Sequence, residues 1–161
     1  MTLEEVNRLG PLRARNEFLQ CCGSSRWAAA MAEARPFATV DVMQTRASAI
    51  WSSLGRSDWL EAFAAHPKIG EARPLSAWSS AEQAGMQTAD ARAKARLADL
   101  NAVYEARFGY IFIVCATGRS PAEMLSLLET RLGNDVEREL PIAADEQRKI
   151  TALRLTKLVD A

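Results

Sequence analysis

A single histidine, His66, stands among the 161 residues of this chain, so no site built on several imidazoles can form. The 3 cysteines (Cys21, Cys22 and Cys115) are an odd set without the paired spacing of a zinc site. Cys21 and Cys22 read as buried thiols near a helix end, because free cysteine packs as a small hydrophobe. Net charge is absent too, since 20 Lys and Arg balance 20 Asp and Glu. That balance excludes a broad basic surface for nucleic acid, though not a local basic pocket. No run approaches the roughly 20 apolar residues that cross a bilayer, so no membrane role is expected. The start, Met-Thr-Leu-Glu-Glu, is acidic where a secretory leader is basic. The end, Lys157-Leu158-Val159-Asp160-Ala161, matches no address signal, and the cytoplasm is the expected location. Repeats, low-complexity tracts and the glycine patterns of phosphate or dinucleotide loops are missing, although Gly109 and Gly118 flank one apolar run.

What is present is an ordinary globular composition, 48% hydrophobic and 25% charged, with helical punctuation from end to end. The expectation is all-α, a single compact domain over residues 1–161 with about eight helices. Thr2 with Glu5 forms a capping-box pattern ahead of Leu3, Val6 and Leu9. A second helix spans Arg13 to Cys22, Ser25 caps a third, and Thr39 caps a fourth carrying Met43, Ala47 and Trp51. From Ser57 an apolar face of Trp59, Leu60, Phe63 and Ala64 runs into His66-Pro67, which proline places at or beyond the helix end.

Ser79 and Glu82 fit a second capping box. A long helix from about Asp90 to Arg107 follows, with Leu97, Leu100, Val103 and Tyr104 facing inward until Phe108-Gly109-Tyr110 breaks it. The β-branched run from Ile111 to Ala116 could be a strand, but the sequence offers no partner, so a buried, extended or irregular segment between helices is expected. Ser120-Pro121-Ala122-Glu123 starts another helix, running through Arg131 towards Gly133. The last spans Asp135 to Val159, with a break conceivable near Pro141 and apolar positions at Ile150, Leu153, Leu155, Leu158 and Val159.

Few residues could carry chemistry. Histidine is the side chain whose unperturbed pKa lies near neutrality, and proline would fix the direction of His66, yet the residue could be a capping or surface histidine. Glu82 either completes the capping box with Ser79 or joins Gln83 at a helix start that favours an anionic ligand. Arg154, in Ala152-Leu153-Arg154-Leu155, either snorkels or binds an anion. Arg119 reads as a solvated loop residue, whereas Arg131 and Arg138 can pair with nearby acids. These features alone reach only a helical domain with a candidate anion pocket.

Three ordered segments carry the reading further: His66-Pro67-Lys68-Ile69-Gly70, Ser79-Ser80-Ala81-Glu82-Gln83, and Phe108-Gly109-Tyr110-Ile111-Phe112-Ile113-Val114-Cys115-Ala116. With Lys149-Ile150-Thr151-Ala152-Leu153-Arg154-Leu155, the chain closely resembles the 2-oxo-4-hydroxy-4-carboxy-5-ureidoimidazoline (OHCU) decarboxylase family over nearly its whole length. The resemblance implies an all-helical homodimer that uses no metal or organic cofactor. The implied reaction is decarboxylation of a small ureidoimidazoline to (S)-allantoin during urate breakdown. It implies His66 and Glu82 as catalytic residues, with Pro67, Ser79, Glu82 and Gln83 on the substrate. Main-chain groups of Ile111, Phe112, Ile113, Val114 and Cys115, and the side chain of Arg154, would also meet it. Lys68 and Ile69 depart from the frequent Asp-Leu of the family motif, which bears on affinity more than on reaction type. Several eukaryotic relatives end in a peroxisomal tripeptide, where this chain has Val159-Asp160-Ala161. A ureide-binding module without turnover, and a helical protein that only self-associates, are the rival readings.

Overall fold

Helix starts in this chain are written largely by short side chains that accept the first free amides. The computed structural model describes residues 1–67 and 89–160. Eight helices lie among them: α1 (Leu3–Arg8), α2 (Pro11–Cys21), α3 (Ser25–Ala34), α4 (Val40–Ser53), α5 (Arg56–Ala64), α6 (Ala89–Phe108), α7 (Pro121–Leu132) and α8 (Val136–Leu158). The all-α expectation holds. At α1, Glu5 N–H donates to Thr2 Oγ1 at 3.1 Å while Thr2 N–H donates to Glu5 Oε2 at 2.7 Å, completing the capping box. The hydroxyls of Thr39 and Ser120 likewise accept from the amides of Val42 and Glu123.

Several boundaries differ from the sequence reading by a residue or two. α2 begins at Pro11 rather than Arg13, because proline at the first helical position is already set for the helix and needs no donor. The cap of α3 is Ser24, whose Oγ accepts from Trp27 N–H at 3.2 Å; Ser25 is the first helical residue. Ser25 is drawn away by Glu61 of α5, which takes its amide at 2.9 Å and its hydroxyl at 2.7 Å. α5 starts at Arg56, one residue early, after Gly55. α8 continues through Pro141, at the loss of one helical hydrogen bond.

The described residues fall into two units, Met1–Ala65 with Ala144–Ala161, and His66–Ala143. In the first, aromatic side chains join the helices. Phe18 meets Trp27 edge-on at 6.1 Å and Phe37 at 6.4 Å. The Trp27 indole donates to the Ala47 carbonyl at 3.1 Å, and that of Trp51 to the Ala144 carbonyl at 2.8 Å, so both buried rings keep their polar edge satisfied. Gly23 fits where no larger residue would, since a Cβ there would stand 2.5 Å from the Cβ of Ala65. The turn between α2 and α3 thereby seats the end of α5.

In the second unit, Tyr104 is the hub, with ring centroids of Phe108, Tyr110 and Phe112 at 4.5, 5.9 and 5.4 Å. The inward stripe of α6 is Ala93, Leu97, Asn101, Tyr104 and Phe108; Val103 is 52% exposed and not inward as its hydrophobicity suggested. Gly109, at φ +86°, ends the helix in a conformation that favours glycine.

Candidate active site

The register of α5 decides where His66 stands. Ala62 and Phe63 are fully buried, and Trp59 anchors the same helix by donating from its indole to the Trp51 carbonyl at 3.1 Å. Ala64, expected on the apolar face, is exposed. The helix ends at Ala64, Ala65 forms the cap with its amide donating to the Ala62 carbonyl at 3.2 Å, and half-buried His66 and Pro67 follow. The proline rule therefore placed the histidine correctly, just beyond a helix end fixed from the other side by Gly23. Ser79, Glu82 and Gln83, with the capping box read for them, lie outside the described residues.

Residues Ile111 to Cys115 form the buried, non-helical segment the sequence suggested. Ile111, Phe112, Ile113 and Val114 are each under a tenth exposed, while Cys115 is half-buried. With no strand alongside among the described residues, side chains take over the role of a ladder. Phe112 N–H donates to Asn101 Oδ1 of α6 at 3.1 Å, and Arg131 Nη1 of α7 donates to the Ile113 carbonyl at 2.6 Å. The Arg131 guanidinium also stacks 4.5 Å from the centroid of the Phe112 ring. Its charge is answered by Glu139, whose carboxylate accepts from Nε at 2.6 and 3.2 Å. Burial pushes the Glu139 carboxyl above its usual range, and hydrogen bonds from Arg131, Tyr104 and Asn134 oppose that rise. Pairing of Arg131 with an acid was legible; its hold on the segment, and the part of Asn101, were not. The available signal was a strand-like run without a partner, which requires buried polar side chains nearby.

Arg154 sits in the first unit, half-buried, with Nη1 donating to the Cys21 carbonyl at 3.4 Å. It thus meets the C-terminal end of α2, an environment favourable to a cation. Cys21 and Cys22 are the buried thiols expected. Burial raises both, Cys21 to about 12, with the Arg154 charge pulling down. Arg119 is exposed, and its Nε donates to the Cys115 carbonyl at 3.2 Å. A groove of about 320 Å³ between α4 and α8, bordered by Gln44, Trp51, Arg148 and Thr151, contains none of the candidate catalytic or substrate-binding residues. Among the described residues no cluster of three or more His, Cys, Asp or Glu is arranged to hold a metal ion, and no helix is long and apolar enough to cross a membrane.

Comparison with known proteins gives this geometry its context. The chain is similar to the uric acid degradation bifunctional protein TTL of Arabidopsis thaliana, 41% identical over 89% of this chain; it spans 46% of that protein's length. It is 29% identical to the OHCU decarboxylase of Haloferax volcanii, over 98% of this chain and 95% of that one. A crystal structure of OHCU decarboxylase in the presence of (S)-allantoin superposes with a TM-score of 0.78 and 42% identity, covering 91% of this chain and 99% of the other. The sequence profile of OHCU decarboxylase matches residues 7–156, and the chain belongs to the OHCU decarboxylase family.

Proposed function

We propose that this chain, acting as one OHCU decarboxylase-like domain, converts 2-oxo-4-hydroxy-4-carboxy-5-ureidoimidazoline to (S)-allantoin and carbon dioxide, without a cofactor. The observation that carries the reading is its likeness, nearly end to end, to an OHCU decarboxylase solved in the presence of (S)-allantoin. The position of His66 just past α5, followed by Pro67, supports a role for that side chain.

The substrate holds a hydroxyl and a carboxylate on one ring carbon, beside a ring carbon double-bonded to nitrogen. When the bond to the carboxylate breaks, its electron pair forms a carbon–carbon double bond and the imine electrons move to nitrogen, which takes a proton. The enol that remains gains a proton at the former imine carbon and loses one from its hydroxyl, giving allantoin. One proton is consumed overall and carbon dioxide leaves. His66 exchanges a proton with the substrate hydroxyl or the intermediate as general acid/base. Glu82 orients or shares that proton. Protonation from one face sets the product's hand.

Ser79, Gln83 and Pro67 border the substrate in this reading, main-chain groups of Ile111 to Cys115 hold the imidazoline or ureido group, and Arg154 opposes developing oxygen charge. The working form is a homodimer, testable by sedimentation. Freshly generated substrate, followed by circular dichroism for (S)-allantoin, tests the reaction. Formation well above the uncatalysed rate supports it, whereas tight binding with racemic, uncatalysed product would favour a ureide-binding module instead.

A further inference from the structure

The segment Ile111 to Cys115 is gripped at two neighbouring points by helices that precede and follow it in the chain. Asn101 of α6 takes the Phe112 amide, and Arg131 of α7 gives a hydrogen bond to the Ile113 carbonyl. Both side chains face inward, at 4% and 6% exposure, and Glu139, which holds Arg131, is fully buried. Keeping an amide, a guanidinium and a carboxylate out of water costs free energy that apolar side chains of similar size would avoid. What the three provide in return is a defined backbone. A trans peptide is planar, so fixing one of its polar groups fixes the other. The Asn101 contact therefore sets the direction of the Ile111 carbonyl, and the Arg131 contact sets that of the Val114 amide.

We infer that Asn101, Arg131 and Glu139 are positioning residues for the substrate, acting through the backbone of residues 111–115. The inference rests on the proposed function, in which that backbone meets the ligand. Asn101 holds the first peptide plane, Arg131 holds the third, and Glu139 keeps the guanidinium aimed. The Arg131 guanidinium lying over the Phe112 ring ties the side chain between those planes to the same device.

The test compares wild type with Asn101→Leu, which loses the acceptor, and Asn101→Asp, which keeps an acceptor oxygen in nearly the same volume. Thermal unfolding first establishes that each is folded at the assay temperature. Asn101→Leu should lose between about ten- and a hundredfold in kcat/KM, the scale expected when a reacting group is displaced by about an ångström. It should also yield (S)-allantoin of lower enantiomeric excess after subtraction of the uncatalysed reaction, with Asn101→Asp recovering most of both. A defect in stability alone would reduce the amount of active protein and leave enantiomeric excess unchanged. If Asn101→Leu does not fold, Asn101→Ser is read in the same assay by the same criteria. Active wild type with folded variants that keep kcat/KM and enantiomeric excess would overturn this inference alone. A wild type without turnover would overturn the functional reading and this inference with it.

Discussion

Arg131 Nε and Glu139 Oε1 lie 2.6 Å apart, with 6% and 0% of the two residues exposed. The pair spans the end of α7 and the first turn of α8, and it frees one guanidinium nitrogen to hold the Ile113 carbonyl. A buried pair of this kind contributes little net stability over an apolar replacement, but breaking it leaves a charge stranded.

Arg131→Met should accordingly cost about 3–5 kcal/mol in urea unfolding, and adding Glu139→Leu should restore more than half of that. The loss should be smaller at pH 5 than at pH 8. Without Arg131, burial of Glu139 is opposed only by the hydrogen bonds of Tyr104 and Asn134, and it holds the folded-state pKa further above the unfolded value. A carboxyl raised in this way favours the fold at low pH and loses that contribution as pH climbs through the folded pKa. A single variant within about 1 kcal/mol of wild type at both pH values would contradict the pairing.

Gly23→Ala brings a Cβ to 2.5 Å from the Cβ of Ala65, and neither group is the end of a flexible side chain. The helix end must move. A loss of about 1–3 kcal/mol in thermal or denaturant unfolding is expected. Because Ala65 directly precedes His66, turnover should fall in the protein that remains folded. Unchanged stability would show that the turn and α5 do not meet as closely as described.

Ser24 and Ser25 separate a true cap from its neighbour. Ser24→Ala removes the acceptor for Trp27 N–H and should cost about 1 kcal/mol. Ser25→Ala loses only an exposed hydroxyl contact with Glu61 and should stay within about 0.5 kcal/mol of wild type. Denaturant midpoints of the two variants decide, and the reverse order would move the helix start by one residue.

Alkaline pH should weaken the fold through groups that burial keeps protonated. Cys21 is raised from 9.0 to about 12, Cys22 is raised, and Tyr104 is raised above 10.0, each chiefly by desolvation. Their contribution is complete below the unfolded-state values and is lost as pH rises beyond about 9. Guanidine unfolding under reducing conditions should show stability falling between pH 8 and 10, by at most about 1.4 kcal/mol per pH unit for each group. Half-buried Cys115 should react with a thiol reagent before Cys21 or Cys22. A flat profile would contradict the burial of these side chains.

The sequence was most readable where one residue imposes a local constraint. Pro67 stopped α5 before His66, Gly109 stopped α6, and Ser120-Pro121 started α7, all through backbone rules that need no tertiary context. It misled where buried polarity replaces hydrophobicity. On α6, Asn101 is inward because an amide of the unpaired segment needs an acceptor, while apolar Val103 faces out. On α8, Gln147 and Thr151 are buried and share a hydrogen bond of 3.0 Å, whereas Leu153 is 40% exposed. A satisfied polar pair packs as an apolar one does, so hydrophobic periodicity misses that face. Of the candidate site, His66 and the segment 111–115 stood where expected. Arg154 is half-buried with its guanidinium on a helix-end carbonyl, a contact that the sequence pattern did not point to.

The most direct test of the central claim compares wild type with His66→Ala by chiral detection of allantoin from freshly generated substrate. Wild type should form the (S) enantiomer rapidly, and the variant should give product that is racemic and formed at the uncatalysed rate. A folded His66→Ala protein that kept wild-type turnover and enantiomeric excess would contradict the assignment of His66.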